Sequence, residues 1–211
     1  CQKASITKTR IVTVNGVNSN QELHPESLEE VMCMGIYVNP GNSSFQTAVN
    51  SSIYIDKTGL IEYTNSVIAT MQKYICISRP RRFGKSTAAN MLAAYYSRGC
   101  DAGELFSGLE ITESKEFPVY LNQYNTIFLN MQEFLSQSEN MEGMLALIRE
   151  SVLWELLEEY PEYRYFDKTN LTRTMQDIYG RAKCPFIVII DEWDCVFREY
   201  KTDKNAQEQY L

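Results

Sequence analysis

The chain has 211 residues, 44% of them hydrophobic and 12% aromatic, enough apolar surface for one sizeable core and too short for two domains of ordinary size. That composition excludes global disorder. A formal net charge of −7 excludes a broad basic face of the kind that grips nucleic-acid phosphates, so any involvement with nucleic acid is expected to be indirect.

Residues 1–50 are rich in Ser, Asn, Thr and Gln and read as a partly ordered N-terminal extension. They carry a short strand at Arg10–Val14, a turn at Asn15-Gly16, a short helix at Pro25–Met32 and a turn at Asn39-Pro40-Gly41-Asn42. The main domain is expected over 51–211. It opens with the short apolar run Ile53-Tyr54-Ile55, followed by a helix over Gly59–Gln72 and a strand at Tyr74–Ser78. A helix over Lys85–Ser97, stopped by Gly99, precedes a strand at Thr126–Leu129. The long helix Met141–Tyr160 carries Glu142, Glu150, Glu155, Glu158 and Glu159, which read as a solvated face. A helix at Leu171–Ala182 and a strand at Phe186–Ile190 complete the order. Strands that are apolar throughout and alternate with helices predict a three-layer α/β domain with a mostly parallel sheet.

No run reaches the roughly 18 apolar residues of a membrane span, and no leader pattern opens the chain. Its start at Cys1 reads as a truncation rather than a lipid-modified cysteine. The cysteines at Cys1, Cys33, Cys76, Cys100, Cys184 and Cys195 show no C-x-x-C spacing and His24 is the only histidine, which leaves a zinc cluster unsupported. Cys76 and Cys184 read as reduced packing residues, and the protein as cytoplasmic.

Two segments carry chemistry. Ser78-Arg79-Pro80-Arg81-Arg82-Phe83-Gly84-Lys85-Ser86-Thr87 lies between a strand and a helix, the setting of a phosphate-binding P-loop. A loop entering a helix aims several N–H groups at one spot, where the helix dipole also favours an anion. Arg81, Arg82, Phe83, Gly84, Lys85, Ser86 and Thr87 are therefore the candidate nucleotide-binding residues. Gly84 admits close backbone approach, Lys85 reaches the β- and γ-phosphates, and the Ser86 hydroxyl is a ligand for Mg²⁺. Arg79 stands where the P-loop pattern has glycine.

The second segment is Phe186-Ile187-Val188-Ile189-Ile190-Asp191-Glu192, an apolar strand ending in two acids. That is the Walker B pattern. The carboxyl end of a strand in an open α/β sheet faces the ligand crevice. Asp191 is accordingly the expected second holder of Mg²⁺, and Glu192 the residue that polarises the attacking water. Together the motifs predict a P-loop NTPase core that binds ATP and Mg²⁺ and hydrolyses the ATP.

These residues resemble the AAA-ATPase-like family of bacterial proteins, in which such a domain commonly precedes a PD-(D/E)XK nuclease-like region. The resemblance runs through Met34-Gly35-Ile36-Tyr37, Tyr54-Ile55-Asp56-Lys57-Thr58, Ser78 to Ala93, Leu129-Asn130-Met131 and Asp191 to Tyr200. Arg79-Pro80-Arg81-Arg82-Phe83-Gly84-Lys85-Ser86 looks like that family's own variant of the P-loop. The resemblance implies a catalytic glutamate at Glu192 and a regulatory contact to it from Asn130, against which stands a simple turn-capping role for Asn130. It also implies that Asp56-Lys57-Thr58 lies near the nucleotide. Arg81, Arg82 and Arg198 become candidates for the phosphates, with solvated surface roles as the alternative. The family fold further implies strands beyond Leu211, so that the sheet is expected to be incomplete at its C-terminal end. A partner protein or nuclease-like domain outside this chain is the expected recipient of the ATPase work, and an oligomer is left open. A nucleotide-binding module without turnover and a P-loop small-molecule kinase are the alternatives. The residues alone leave ATP against GTP open.

Overall fold

The computed structural model describes residues 6–14, as backbone alone, together with 35–80 and 82–210. The turn expected at Asn15-Gly16, the helix expected at Pro25–Met32 and the candidate Arg81 lie outside the described residues.

Four strands, β1 (Ile6–Val14), β2 (Ile75–Pro80), β3 (Asn125–Asn130) and β4 (Phe186–Asp191), form one sheet in the order β2-β1-β4-β3. β3 and β4 are parallel, whereas β1 is antiparallel to both of its neighbours. The mostly parallel sheet expected from the sequence is thus a mixed one. β2, β3 and β4 share a direction, and the strand from the N-terminal segment runs against them from the middle of the sheet. That strand precedes the alternating part of the chain, so no helical crossover fixes its direction.

The helices are α1 (Ser43–Val49), α2 (Gly59–Ile68), α3 (Lys85–Tyr96), α4 (Phe117–Tyr120), α5 (Met131–Ser136), α6 (Met141–Glu159), α7 (Leu171–Ala182), α8 (Cys195–Glu199) and α9 (Lys204–Tyr210), with 3₁₀ turns at Glu104–Phe106 and Glu110–Glu113. The alternation of side chains along β4 accounts for their placing. Ile187 and Ile189 are buried with Ile61 and Ile68 of α2 and Leu92 and Tyr96 of α3. Phe186 is buried on the other face with Phe134 of α5, Leu156 of α6 and Ile178 of α7, and Val188 and Ile190 pack alongside. Both faces of the sheet are therefore covered by helices.

Several readings of the sequence need correction. β2 was expected as a buried strand, but it is an edge: Ile75 is buried, whereas Cys76, Ser78, Arg79 and Pro80 are exposed. A terminal proline suits an edge, where no ladder donor is lost. The apolar run Ile53-Tyr54-Ile55 leaves Ile53 and Ile55 exposed rather than in the core. The core also draws on residues before 50, since Val38 and Phe45 are fully buried.

Glu155 is the clearest departure. It is buried rather than part of a solvated face, and its carboxylate accepts N–H groups from Ile36 at 3.1 Å, Tyr37 at 2.8 Å and Val38 at 2.7 Å. Its neighbour Glu159 accepts from the Asn39 side chain, and burial pushes the Glu159 carboxyl above the ordinary carboxylate range. Three successive backbone donors tucked under α6 need an acceptor, and one carboxylate serves all of them. Gly35 is required at the mouth of this loop, because a Cβ there would lie 1.8 Å from the Val38 carbonyl oxygen.

No helix among the described residues is long and apolar enough to cross a membrane. Among the described residues Cys76, Cys184 and Cys195 are free, while Cys100 is disulfide-bonded.

Candidate functional site

A cavity of about 590 Å³ opens between the N-terminus of α3 and the carboxyl ends of β3 and β4. Its walls come from three places in the chain. Arg82, Gly84, Lys85, Ser86 and Thr87 supply the loop and first turn of α3, Asn130 and Gln132 the end of β3 and the start of α5, and Asp191, Glu192 and Arg198 the end of β4 and the following helix. The parallel pairing that sets Asn130 opposite Asp191 brings the last two groups together.

The loop side is built around Gly84. It occupies the N-cap position of α3 with φ 71°, in the left-handed region, and offers no side-chain cap. The first-turn N–H groups of α3 therefore lack the usual side-chain acceptor, which is what an anion site at a helix N-terminus requires. Lys85 is 7% exposed, and its ammonium donates to the carbonyls of Arg79 at 2.9 Å and Pro80 at 3.1 Å. Arg79 thus contributes a carbonyl where the usual pattern has glycine. Phe83 is 63% exposed and does not line the cavity.

The acidic side holds Asp191, 3% exposed, whose carboxylate accepts the N–H of Glu192 at 3.0 Å. Glu192 pairs with Arg198, Oε2 to Nη2 at 2.7 Å, with the two side chains 25% and 17% exposed. The same Nη2 donates to Oε1 of Gln132 at 3.1 Å. The contact to Glu192 that the sequence suggested for Asn130 is therefore made by Arg198. Asn130 lines the cavity but caps α5, its side-chain oxygen accepting the N–H of Gln132. Asn130 ends a strand and begins a helix, where such a cap satisfies an otherwise unpaired donor.

Backbone strain singles out the same place. Among the described residues, Asn39, Arg82, Asn122, Lys183 and Glu192 have positive φ without being glycine. Asparagine tolerates this region, and Lys183 is a helix C-cap. Arg82 and Glu192 have no such excuse, and both line the cavity. Conformations of this kind persist where a surrounding structure over-determines them, often at functional sites.

The oxygen donors also suit one metal. The Ser86 hydroxyl and Asp191 carboxylate line a common cavity, and among the described residues no group of three or more His, Cys, Asp or Glu side chains could hold an ion by itself. Two hard oxygen ligands completed by phosphate and water match Mg²⁺, which is seldom held in an all-protein cage.

Of the residues that sequence reasoning placed at the site, Arg82, Gly84, Lys85, Ser86, Thr87, Asn130, Asp191 and Glu192 line this cavity, Phe83 does not and Arg81 is outside the described residues; Arg198, named only as a candidate, also lines it. That reasoning missed Gln132, two residues past Asn130, for which a lone polar residue in a short helix gives no signal. A family model described as "Predicted AAA-ATPase" matches residues 40–211. No curated protein and no solved structure matches the chain.

Proposed function

The protein belongs to the AAA-ATPase-like family, whose model takes in residues 40–211, and from that premise we propose that it binds Mg²⁺ and ATP in the cavity at the start of α3 and hydrolyses the ATP. The observation that carries the reading is the convergence of Lys85 and Ser86 with Asp191 and Glu192 on one cavity from elements distant in sequence. ATP is favoured over GTP on the family's description alone.

In this reading the triphosphate sits against the first-turn N–H groups of α3. The Lys85 ammonium exchanges the Arg79 and Pro80 carbonyls for phosphate oxygens, which are charged and therefore stronger acceptors. Ser86 and Asp191 would hold Mg²⁺, which would supply charge neutralisation on the phosphates. Glu192 orients a water and takes its proton as the water oxygen bonds to the γ-phosphorus. The bond to the bridging oxygen breaks, and ADP leaves with that electron pair. Arg198 and Gln132 fix the direction of the Glu192 carboxylate. Arg82 supplies positive charge to the cavity, and Thr87 lines it. The work done by turnover is directed at a partner protein or a nuclease-like domain outside this chain, in the cytoplasm, where ATP is plentiful.

One observation favours a second reading, nucleotide binding without turnover. The ion pair to Arg198 holds the proposed base, and a base so held can idle. Steady-state phosphate release from the parent and from Glu192→Gln separates the two. General-base help is typically worth about 10²- to 10⁴-fold, so the variant should lose at least about 10²-fold in rate while still binding ATP. Equal rates would remove the hydrolysis claim, and label from γ-phosphate on an acceptor rather than in free phosphate would point to a kinase.

A further inference from the structure

Asp56-Lys57-Thr58 lies at the entry to α2, outside the cavity walls, yet it reaches the nucleotide loop. Two of its residues are anchors. Asp56 Oδ1 accepts the N–H of Thr58 at 2.8 Å, and Asp56 Oδ2 accepts that of Glu110 at 2.8 Å. The fully buried Thr58 accepts the N–H of Ile111 through its hydroxyl at 3.1 Å. The tripeptide is thereby fastened to the 3₁₀ turn Glu110–Glu113, and Lys57 between the anchors is left to project.

Its ammonium donates to the Phe83 carbonyl at 3.2 Å, with a longer approach to the Gly84 carbonyl at 3.5 Å. The fit is close: a Cβ on Gly84 would lie 2.0 Å from the Lys57 nitrogen and 3.4 Å from Cε. Gly84 is favoured by its left-handed φ, and a side chain there would push aside the lysine packed over it. Among the described residues no carboxylate pairs with Lys57, so its charge is directed at the loop.

The consequence follows from the peptide unit. In a planar trans peptide the C=O and the N–H of the next residue point in opposite directions. A cation that draws the Phe83 carbonyl outward turns the Gly84 N–H inward, whereas the Gly84 carbonyl already accepts the N–H of Ala88 within α3 at 3.0 Å. Gly84 and Lys85 line the cavity, and Lys57 does not.

Resting on the nucleotide-site reading above, we propose that Lys57 is a positioning residue: its ammonium holds the Phe83 carbonyl turned away from the cavity, so that the Gly84 N–H faces the phosphates of the nucleotide. Asp56 and Thr58 hold the lysine in place. The tripeptide and the P-loop then form one device, although a full helix and strand separate them in sequence.

The test compares binding of ATP with Mg²⁺ by parent, Lys85→Ala, Lys57→Met and Lys57→Arg, alongside melting without nucleotide and amide hydrogen exchange of the segment 82–88. Losing one hydrogen bond from an ionised donor at a half-exposed position corresponds to about a ten-fold loss of affinity. The expected result is a roughly ten-fold weaker Kd and faster exchange in Lys57→Met, near-parent values in Lys57→Arg, and little change in nucleotide-free melting for either. Parent-like binding by Lys57→Met, with binding lost in Lys85→Ala, would overturn the role of Lys57 and leave the site standing. A large drop in nucleotide-free melting for Lys57→Met, with unaltered affinity in the folded fraction, would reduce Lys57 to a structural residue. If Lys57→Met folds too poorly to assay, Lys57→Gln takes its place: a roughly ten-fold weaker Kd with faster exchange supports the role, and parent-like values overturn it. Failure of the parent to bind at all would overturn both readings together.

Discussion

Replacing Glu155 by alanine should destabilise the protein more than any surface charge change, because it strips the acceptor from three backbone donors at once. Val38 N–H, at 2.7 Å, is fully buried, while the donors of Ile36 and Tyr37 are partly buried. An unsatisfied buried donor costs about 1–3 kcal/mol. The two partly buried donors recover some of their loss from water, so a total near 3 kcal/mol is reasonable for the three. At about 2–4 °C per kcal/mol for a chain of this size, the melting temperature should fall by roughly 6–12 °C. Glu155→Gln is the informative companion. Oε2 serves Tyr37 and Val38 while Oε1 serves only Ile36, so an amide that keeps its oxygen on the Tyr37 and Val38 side forfeits one donor, at roughly 1 kcal/mol. Calorimetric or fluorescence melting measures both variants. An alanine variant melting within about 2 °C of the parent would refute the idea that this carboxylate pins residues 36–38 under α6.

Asp191→Asn should weaken ATP binding about ten-fold or more when Mg²⁺ is present and leave it nearly unchanged in chelator, as read by titration calorimetry; equal losses in both conditions would remove Asp191 from the metal site. Asp56 gives a pH signature. Burial raises its carboxyl pKa, but N–H groups of Glu110, Thr58 and Lys57 and the Thr58 hydroxyl outweigh that and hold it below the ordinary value of 3.8. A group whose folded pKa is depressed stabilises the fold above its unfolded pKa and loses that contribution as pH falls through the folded one. The melting difference between parent and Asp56→Asn should therefore be present near neutral pH and shrink below pH 3.8, with a small amplitude because the group is exposed; a difference independent of pH would contradict the assignment.

Much of the site was legible because its residues combine side-chain chemistry with a position in the chain order. Lys85 and Ser86 open a helix after a strand, Asp191 and Glu192 close a strand, and that order alone predicted their meeting. The sheet was less legible. Apolar runs reveal strands but not partners, so Tyr74–Ser78 gave no sign of being an edge, and the N-terminal strand gave no sign that it would run against its neighbours from the middle. Glu155 shows the same limit among charges: on a helix dotted with glutamates, nothing local marks the one that meets three backbone donors folded back from residues 36–38. A contact to distant backbone, like that of the Lys57 ammonium on the Phe83 carbonyl, leaves no periodic trace at either end.

The central claim is that the cavity at the start of α3 is a site for Mg²⁺ and ATP, and the most direct measurement is the binding isotherm of ATP with Mg²⁺ for parent and Lys85→Ala, each first shown to melt cooperatively. Saturable binding by the parent, weakened by about 10²-fold or more in the variant as a charge-assisted phosphate contact is lost, is the predicted result. A well-folded parent that fails to bind, or a variant that binds as tightly as the parent, would contradict it.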